Sequence, residues 1–113
     1  MDCLFCKVVS GEVAINKIYE NKDILAFEDI NPQAPIHFLI IPKVHIPTLN
    51  DLEPTDIALV GKLSLVASKL AKEYEISKNG YRTIMNCNSD AGQTVFHIHL
   101  HMMAGRRFKW PPG

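Results

Sequence analysis

The sequence predicts an α+β domain: an antiparallel β-sheet of about five strands covered by one long helix. Three observations carry that reading. Apolar residues recur at three- and four-residue steps over one extended stretch, 57–74. The other apolar segments are short, bounded by turn residues and rich in β-branched or aromatic side chains. Strands thus precede and follow a single helix instead of alternating with helices, and neither a Rossmann nor a P-loop glycine motif is present.

The elements follow in order. Ser10-Gly11, Asn21-Lys22-Asp23, Asn31-Pro32 through Pro35, Pro42, Pro47, Asn79-Gly80 and Ser89-Asp90-Ala91-Gly92 read as turns and loops. Between them lie five expected strands: Lys17 to Glu20, Ile24 to Asp29, Ile36 to Ile41, Tyr81 to Asn88 and Phe96 to Ala104. The helix places Ile57, Val60, Leu63, Ala67, Leu70 and Tyr74 toward the sheet, with Lys62, Lys69, Lys72 and Glu73 at other positions. Pro54 suits its first turn, and Gly61 inside it costs up to about 1 kcal/mol of propensity.

The chain has 113 residues, 47% of them hydrophobic, which suffices for one domain without staples. No repeat, linker or low-complexity stretch divides it, so 1–113 reads as one unit with a Cys-x-x-Cys segment at 1–16 and a tail at 105–113. Twelve basic residues balance twelve acidic ones, so no bulk field draws the chain to nucleic acid or to an anionic membrane. No apolar run approaches the ~20 residues that span a bilayer. Asp2, Lys7 and Glu12 interrupt any signal-peptide core. Three cysteines, an odd number, suit a reducing compartment; the expected location is the cytoplasm. Cys87 has no partner in sequence and is expected to be buried.

The most informative stretch is His97-Ile98-His99-Leu100-His101-Met102-Met103. On a strand the three histidines share one face and Ile98, Leu100 and Met102 the other. Imidazole serves as neutral nucleophile, proton donor or metal ligand near pH 7, so a row of three suits charge moving on a phosphate. Covalent catalysis and a metal centre on His97, His99 and His101 both follow. The preceding loop favours the first, because Asn86, Ser89, Gly92, Gln93 and Thr94 offer an amide, hydroxyls and backbone N–H groups beside the row. Cys3-x-x-Cys6 has the spacing of half a tetrahedral zinc site.

With these motifs in place the chain resembles the histidine triad (HIT) superfamily, whose signature is His-φ-His-φ-His-φ-φ with φ apolar. The similarity extends over the Cys3-Leu4-Phe5-Cys6 start, Phe27-Glu28-Asp29-Ile30, Pro32-Gln33-Ala34-Pro35, His37 to Lys43, Gly92-Gln93-Thr94-Val95 and Trp110-Pro111-Pro112-Gly113. The ending resembles the Hint branch, whose members are purine nucleoside phosphoramidases. The resemblance implies a HIT-like fold in which two protomers pair into a larger sheet. It also implies hydrolysis of AMP- or GMP-linked amines through a nucleotidyl-histidine intermediate, with no cofactor in the reaction itself.

By the same resemblance His99 is the nucleophile, His101 contacts the phosphate, His37 approaches the leaving-group side and Thr94 supplies a hydroxyl where relatives often carry Ser. Asp29 corresponds to a ribose-binding carboxylate, and accepting from two sugar hydroxyls is sound chemistry for it. Phe27, Ile30, Leu39 and Ile18 match or border a base pocket. Asn86, Gln93 and Val95 match phosphate-loop positions, and Trp110 a residue reaching the partner's site. Zinc-containing relatives would complete Cys3 and Cys6 with His45 and His97, making a structural zinc. Without the resemblance His37 fits a core histidine and Asp29 a turn former. Two alternatives remain at this point: dinucleoside polyphosphate hydrolysis, and a nucleotide-binding interaction module with little physiological catalysis.

Overall fold

The computed structural model describes residues 2–113. After a short helix α1 (Leu4–Ser10) come β1 (Lys17–Glu20), β2 (Ile24–Glu28) and β3 (Ile36–Pro42). Two 3-10 turns at Leu49–Asp51 and Pro54–Asp56 lead into α2 (Ile57–Glu73), followed by β4 (Arg82–Ile84), one helical turn α3 (Asn88–Ala91) and β5 (Leu100–Ala104). All neighbouring strands pair antiparallel, in the order β1-β2-β3-β5-β4. No helix among the described residues is long and apolar enough to cross a membrane.

The five-stranded sheet and its single long helix are those the sequence predicts, and the differences have local causes. The sheet is covered on both faces. Ile24, Ala26, Phe38, Ile40, Leu100 and Met102 pack against Leu63, Val66, Ala67, Leu70 and Ala71 of α2. On the other face Leu25, Phe27, Leu39 and Ile41 meet Phe5 and Val8 of α1. Double coverage explains why β2 and β3 are buried almost continuously instead of alternating with polar residues.

Helix α2 buries a face shifted from the expected one. Val66 and Ala71 join the core, while Ile57 is 74% exposed and Tyr74 closes the helix with its ring on Phe38, centroids 5.0 Å apart. Pro54 lies in the preceding 3-10 turn rather than in α2. Helix α1, not foreseen, is capped by Cys3, whose Sγ accepts from the Cys6 N–H at 3.4 Å, and ends at Gly11 with φ of 86°.

The expected strand at 81–88 shortens to β4, whose ladder with β5 ends at Ile84 opposite His101; the chain then turns at Asn88, with φ of 65°, into α3. The expected strand at 96–104 shortens to β5, since the Ile98 N–H leaves the ladder for the Ile46 carbonyl at 2.8 Å. The alternation of faces survives that departure: Ile98, Leu100 and Met102 remain in the core beneath α2. Cys87 is half-buried instead of buried, since it lies in the connection between β4 and α3.

Candidate active site and metal centre

The face of the sheet beneath α1 carries a cavity of about 450 Å³. Strand β2 and its exit supply Phe27, Asp29 and Ile30; β3 supplies His37 and Leu39. The loop before β5 brings Thr94, Val95 and His99, and β5 itself brings His101. Antiparallel register sets Leu39 opposite His101 and His37 opposite Met103, so His37 and His101 lie diagonally on one face, ring centroids 5.2 Å apart. Phe5 of α1 closes the wall, edge-on to the His99 ring at 5.0 Å.

Hydrogen bonds to the backbone decide the tautomers. The His99 Nδ1 lies 2.7 Å from the His97 carbonyl, which can only accept, so Nδ1 carries the proton. The remaining nitrogen, Nε2, bears the lone pair. No buried side-chain nitrogen or oxygen among the described residues lacks a partner, so this otherwise unbonded atom is the one that opens to the cavity. The Gln33 N–H donates to the His37 Nδ1 at 3.0 Å, which puts the His37 proton on Nε2. That proton is directed to the His101 Nδ1 at 2.9 Å, with Asp29 Oδ2 at 3.4 Å. Neutral His101 therefore presents Nε2–H to the cavity. The site pairs an unprotonated imidazole nitrogen with a protonated one two residues along the chain.

The electrostatics hold these rings neutral. Burial lowers the pKa of His37 and His99, opposed for both by the Asp29 charge and, for His99, by its bond to the His97 carbonyl. His101 is pushed down to about 4, by burial first and then by charge on His99 and His37. A neutral row is what nucleophilic attack near pH 7 requires.

Ile18 does not line the cavity. The register irregularity between Lys17 and Tyr19 accompanies packing of both Ile18 and Tyr19 against the helix-side core. Gln93 is buried and does not line it either. Its Oε1 accepts from the Asn88 N–H at 2.8 Å, and its Nε2 donates to the carbonyls of Pro47 and Val95, so it braces the loop that carries Thr94. Asn86 is half-buried beyond the end of β4 and lies outside the cavity lining. Trp110 is 81% exposed and touches no part of this site within the single chain. Sequence reasoning missed the wall residue Phe5 and the tautomer-setting Gln33 N–H; a backbone group leaves no residue-type signal.

A second constellation adjoins the first. The donor atoms of Cys3, Cys6, His45 and His97 all lie within 4.8 Å of one another. Cys3 Sγ and Cys6 Sγ are 3.5 and 3.6 Å from the His97 Nδ1, Cys6 Sγ is 3.4 Å from the His45 Nδ1, and the two Nδ1 atoms are 3.3 Å apart. A tetrahedron with Zn–S of about 2.3 Å and Zn–N of about 2.0–2.1 Å has S to N edges of about 3.5 Å and an N to N edge of about 3.4 Å. The four residues fit a tetrahedral dication. The His97 Nε2–H donates to the Pro42 carbonyl at 2.7 Å, leaving Nδ1 as the ligating nitrogen. Burial, then Cys3, raises the Cys6 thiol pKa, and a dication is what would hold both sulfurs as thiolates. His97, His99 and His101 do not converge as one ligand set: His97 turns to the cysteines while His101 meets His37 and Asp29. Of the three triad histidines, only His97 belongs to the Cys/His cluster.

The HIT domain family matches residues 10–108. A HIT family hydrolase from Legionella pneumophila Philadelphia 1 superposes with a TM-score of 0.97 at 51% identity, covering 99% of this chain and 100% of that one. A histidine triad protein from Clostridium difficile gives 0.93 at 43% identity, covering 96% and 95%. The purine nucleoside phosphoramidase of Escherichia coli strain K12 is 42% identical over 105 residues, 93% of this chain and 88% of that one. With its triad, its covered antiparallel sheet and these relatives, the chain belongs to the HIT family of hydrolases.

Proposed function

We propose that the protein hydrolyses purine nucleoside phosphoramidates, AMP- or GMP-linked amines, through a nucleotidyl-histidine intermediate on His99. The observation that supports this most directly is the His99 Nε2, unprotonated because Nδ1 is held by the His97 carbonyl, beside a cavity that also receives Asp29 and Thr94. In the proposed reaction Nε2 attacks the phosphorus and the P–N bond to the amine breaks. The amine departs with a proton taken from water, the neutral His101 donates a hydrogen bond from Nε2–H to the phosphate, and Thr94 offers its hydroxyl to the phosphate or the amine. Water then attacks the phosphorus, the bond to His99 breaks, and the nucleoside monophosphate leaves. The base rests against Phe27, Leu39 and Ile30, the ribose hydroxyls on the Asp29 carboxylate, and the phosphate near the Val95 backbone.

The activity named for the 42% identical E. coli relative supports the choice of a phosphoramidate over a dinucleoside polyphosphate. In this reading Cys3, Cys6, His45 and His97 hold a zinc ion. Four protein ligands leave it no open position, so it supplies no Lewis-acid chemistry and ties α1 to the histidine run. The protein would act in the cytoplasm as a homodimer, with Trp110 reaching the other protomer's site.

The deciding experiment is acid-quench of the enzyme with an adenosine phosphoramidate, followed by peptide mass analysis. A nucleotidyl increment on His99, absent from His99→Ala, is the expected result. Full turnover by His99→Ala would remove the proposed nucleophile, and AMP binding without turnover by the native protein would favour an interaction module.

A further inference from the structure

The pair Cys3 and Cys6 has a chemistry that the hydrolytic reaction does not use. We propose that it is a thiol–disulfide switch, in which a low-molecular-weight disulfide converts the two sulfurs into a Cys3–Cys6 disulfide, expels the metal and lowers hydrolysis. This rests on the hydrolase and zinc readings above.

Proximity, access and linkage to the cavity support it. The two sulfurs belong to one donor cluster, and the Cys6 N–H holds the Cys3 Sγ at 3.4 Å over the first turn of α1. Joining them closes a loop within one helical turn and moves no strand. A second cavity, about 540 Å³, is lined by Cys3, His45, Pro47 and Phe96, shares Thr94 and Val95 with the catalytic cavity, and gives a small oxidant a path to Cys3. Cys87 stands outside the cluster.

The linkage runs through two residues. His97 contacts both sulfurs through Nδ1, and its carbonyl fixes the His99 proton at 2.7 Å. Phe5 sits between the cysteines in sequence and packs edge-on against His99 at 5.0 Å. A disulfide across that turn shifts Phe5 and deprives His97 of its sulfur partners together.

The step balances. One protein thiolate attacks the incoming disulfide RSSR, forming a mixed disulfide and releasing RS⁻. The second protein thiolate attacks the mixed disulfide at the protein sulfur and releases a second RS⁻. Two electrons pass from Cys3 and Cys6 to RSSR, and the zinc dication, left with two histidines, dissociates.

The test uses the zinc-loaded full chain carrying Cys87→Ser, equilibrated in mixtures of reduced and oxidised glutathione. Three quantities are read: zinc released to a chromogenic chelator, the mass of the peptide ending at Lys7, and turnover of an adenosine phosphoramidate. The expected result is loss of two hydrogens on that peptide, one zinc released per disulfide, and turnover reduced about tenfold, the lower end for losing a metal site's supporting contacts. Reductant with added zinc restores all three. Retained zinc with unmodified thiols in fully oxidised glutathione overturns the proposal, as do glutathione adducts without an internal disulfide. A disulfide that leaves turnover unchanged overturns the control of hydrolysis. Failure of the underlying readings is distinguishable, because a chain that never takes zinc or never turns over substrate is still judged by the peptide mass.

Discussion

Lowering the pH from 7 to 5 should cost the folded protein about 2 kcal/mol through His101 alone. Its pKa falls from 6.5 to about 4 on folding, by burial first and then by charge on His99 and His37. Between those values the unfolded chain binds more protons than the folded one, so stability is full above pH 6.5 and declines as the pH falls toward 4. The slope is about 1.4 kcal/mol per pH unit, which gives about 2 kcal/mol at pH 5 and about 3 kcal/mol once the pH is below 4. Urea unfolding at pH 7 and pH 5 of the native protein and of His101→Gln isolates this contribution, since histidines common to both largely cancel in the difference. The native protein should lose about 2 kcal/mol more than the variant. An equal loss in both, or a His101 ring resonance titrating near its ordinary value, would refute the burial and the tautomer relay built on it. The relay gives the number a functional meaning, because a neutral His101 with its proton on Nε2 is a hydrogen-bond donor to the phosphate throughout the neutral range.

Other consequences concern packing, backbone, metal and ligand. Leu70→Ala, at a fully buried α2 position, should destabilise by about 2–5 kcal/mol in thermal or urea unfolding, whereas Leu65→Ala, 70% exposed, should change stability by less than about 0.5 kcal/mol. Gly105→Ala meets two penalties, a φ of 95° and a new Cβ 2.8 Å from the Pro35 Cβ; it should cost about 1–3 kcal/mol and more than Gly80→Ala, where φ is 103° but space is open. Chelation should lower the unfolding midpoint and zinc should restore it, with about 4 kcal/mol gained when free zinc is a thousandfold above its Kd. Asp29→Ala should reduce kcat/KM for a ribonucleoside phosphoramidate by about tenfold or more beyond any loss on the 2′,3′-dideoxy analogue, the scale of a hydrogen bond to a charged group. Equal losses on both sugars would remove Asp29 from ribose recognition.

The sequence by itself determined the kind of sheet, the one long helix and the chemical character of the histidine row, since each rests on local periodicity and residue type. Leu63, Ala67 and Leu70 announced the α2 face through their spacing, and Ile98, Leu100 and Met102 announced the core side of the triad. The tertiary structure decided what depends on atoms brought together from distant positions. It shortened the histidine strand, because the Ile46 carbonyl competes for the Ile98 N–H, and it sent His97 to two cysteines more than ninety residues away. It turned Gln93 into a brace for the loop and put Ile18 on the helix side. The ring protons of His37, His99 and His101 were set by backbone partners at Gln33 and His97, and every residue type carries such groups alike. Side-chain chemistry is written in the sequence; the direction in which a neutral imidazole points its lone pair is set by whichever carbonyl or N–H the fold places beside it.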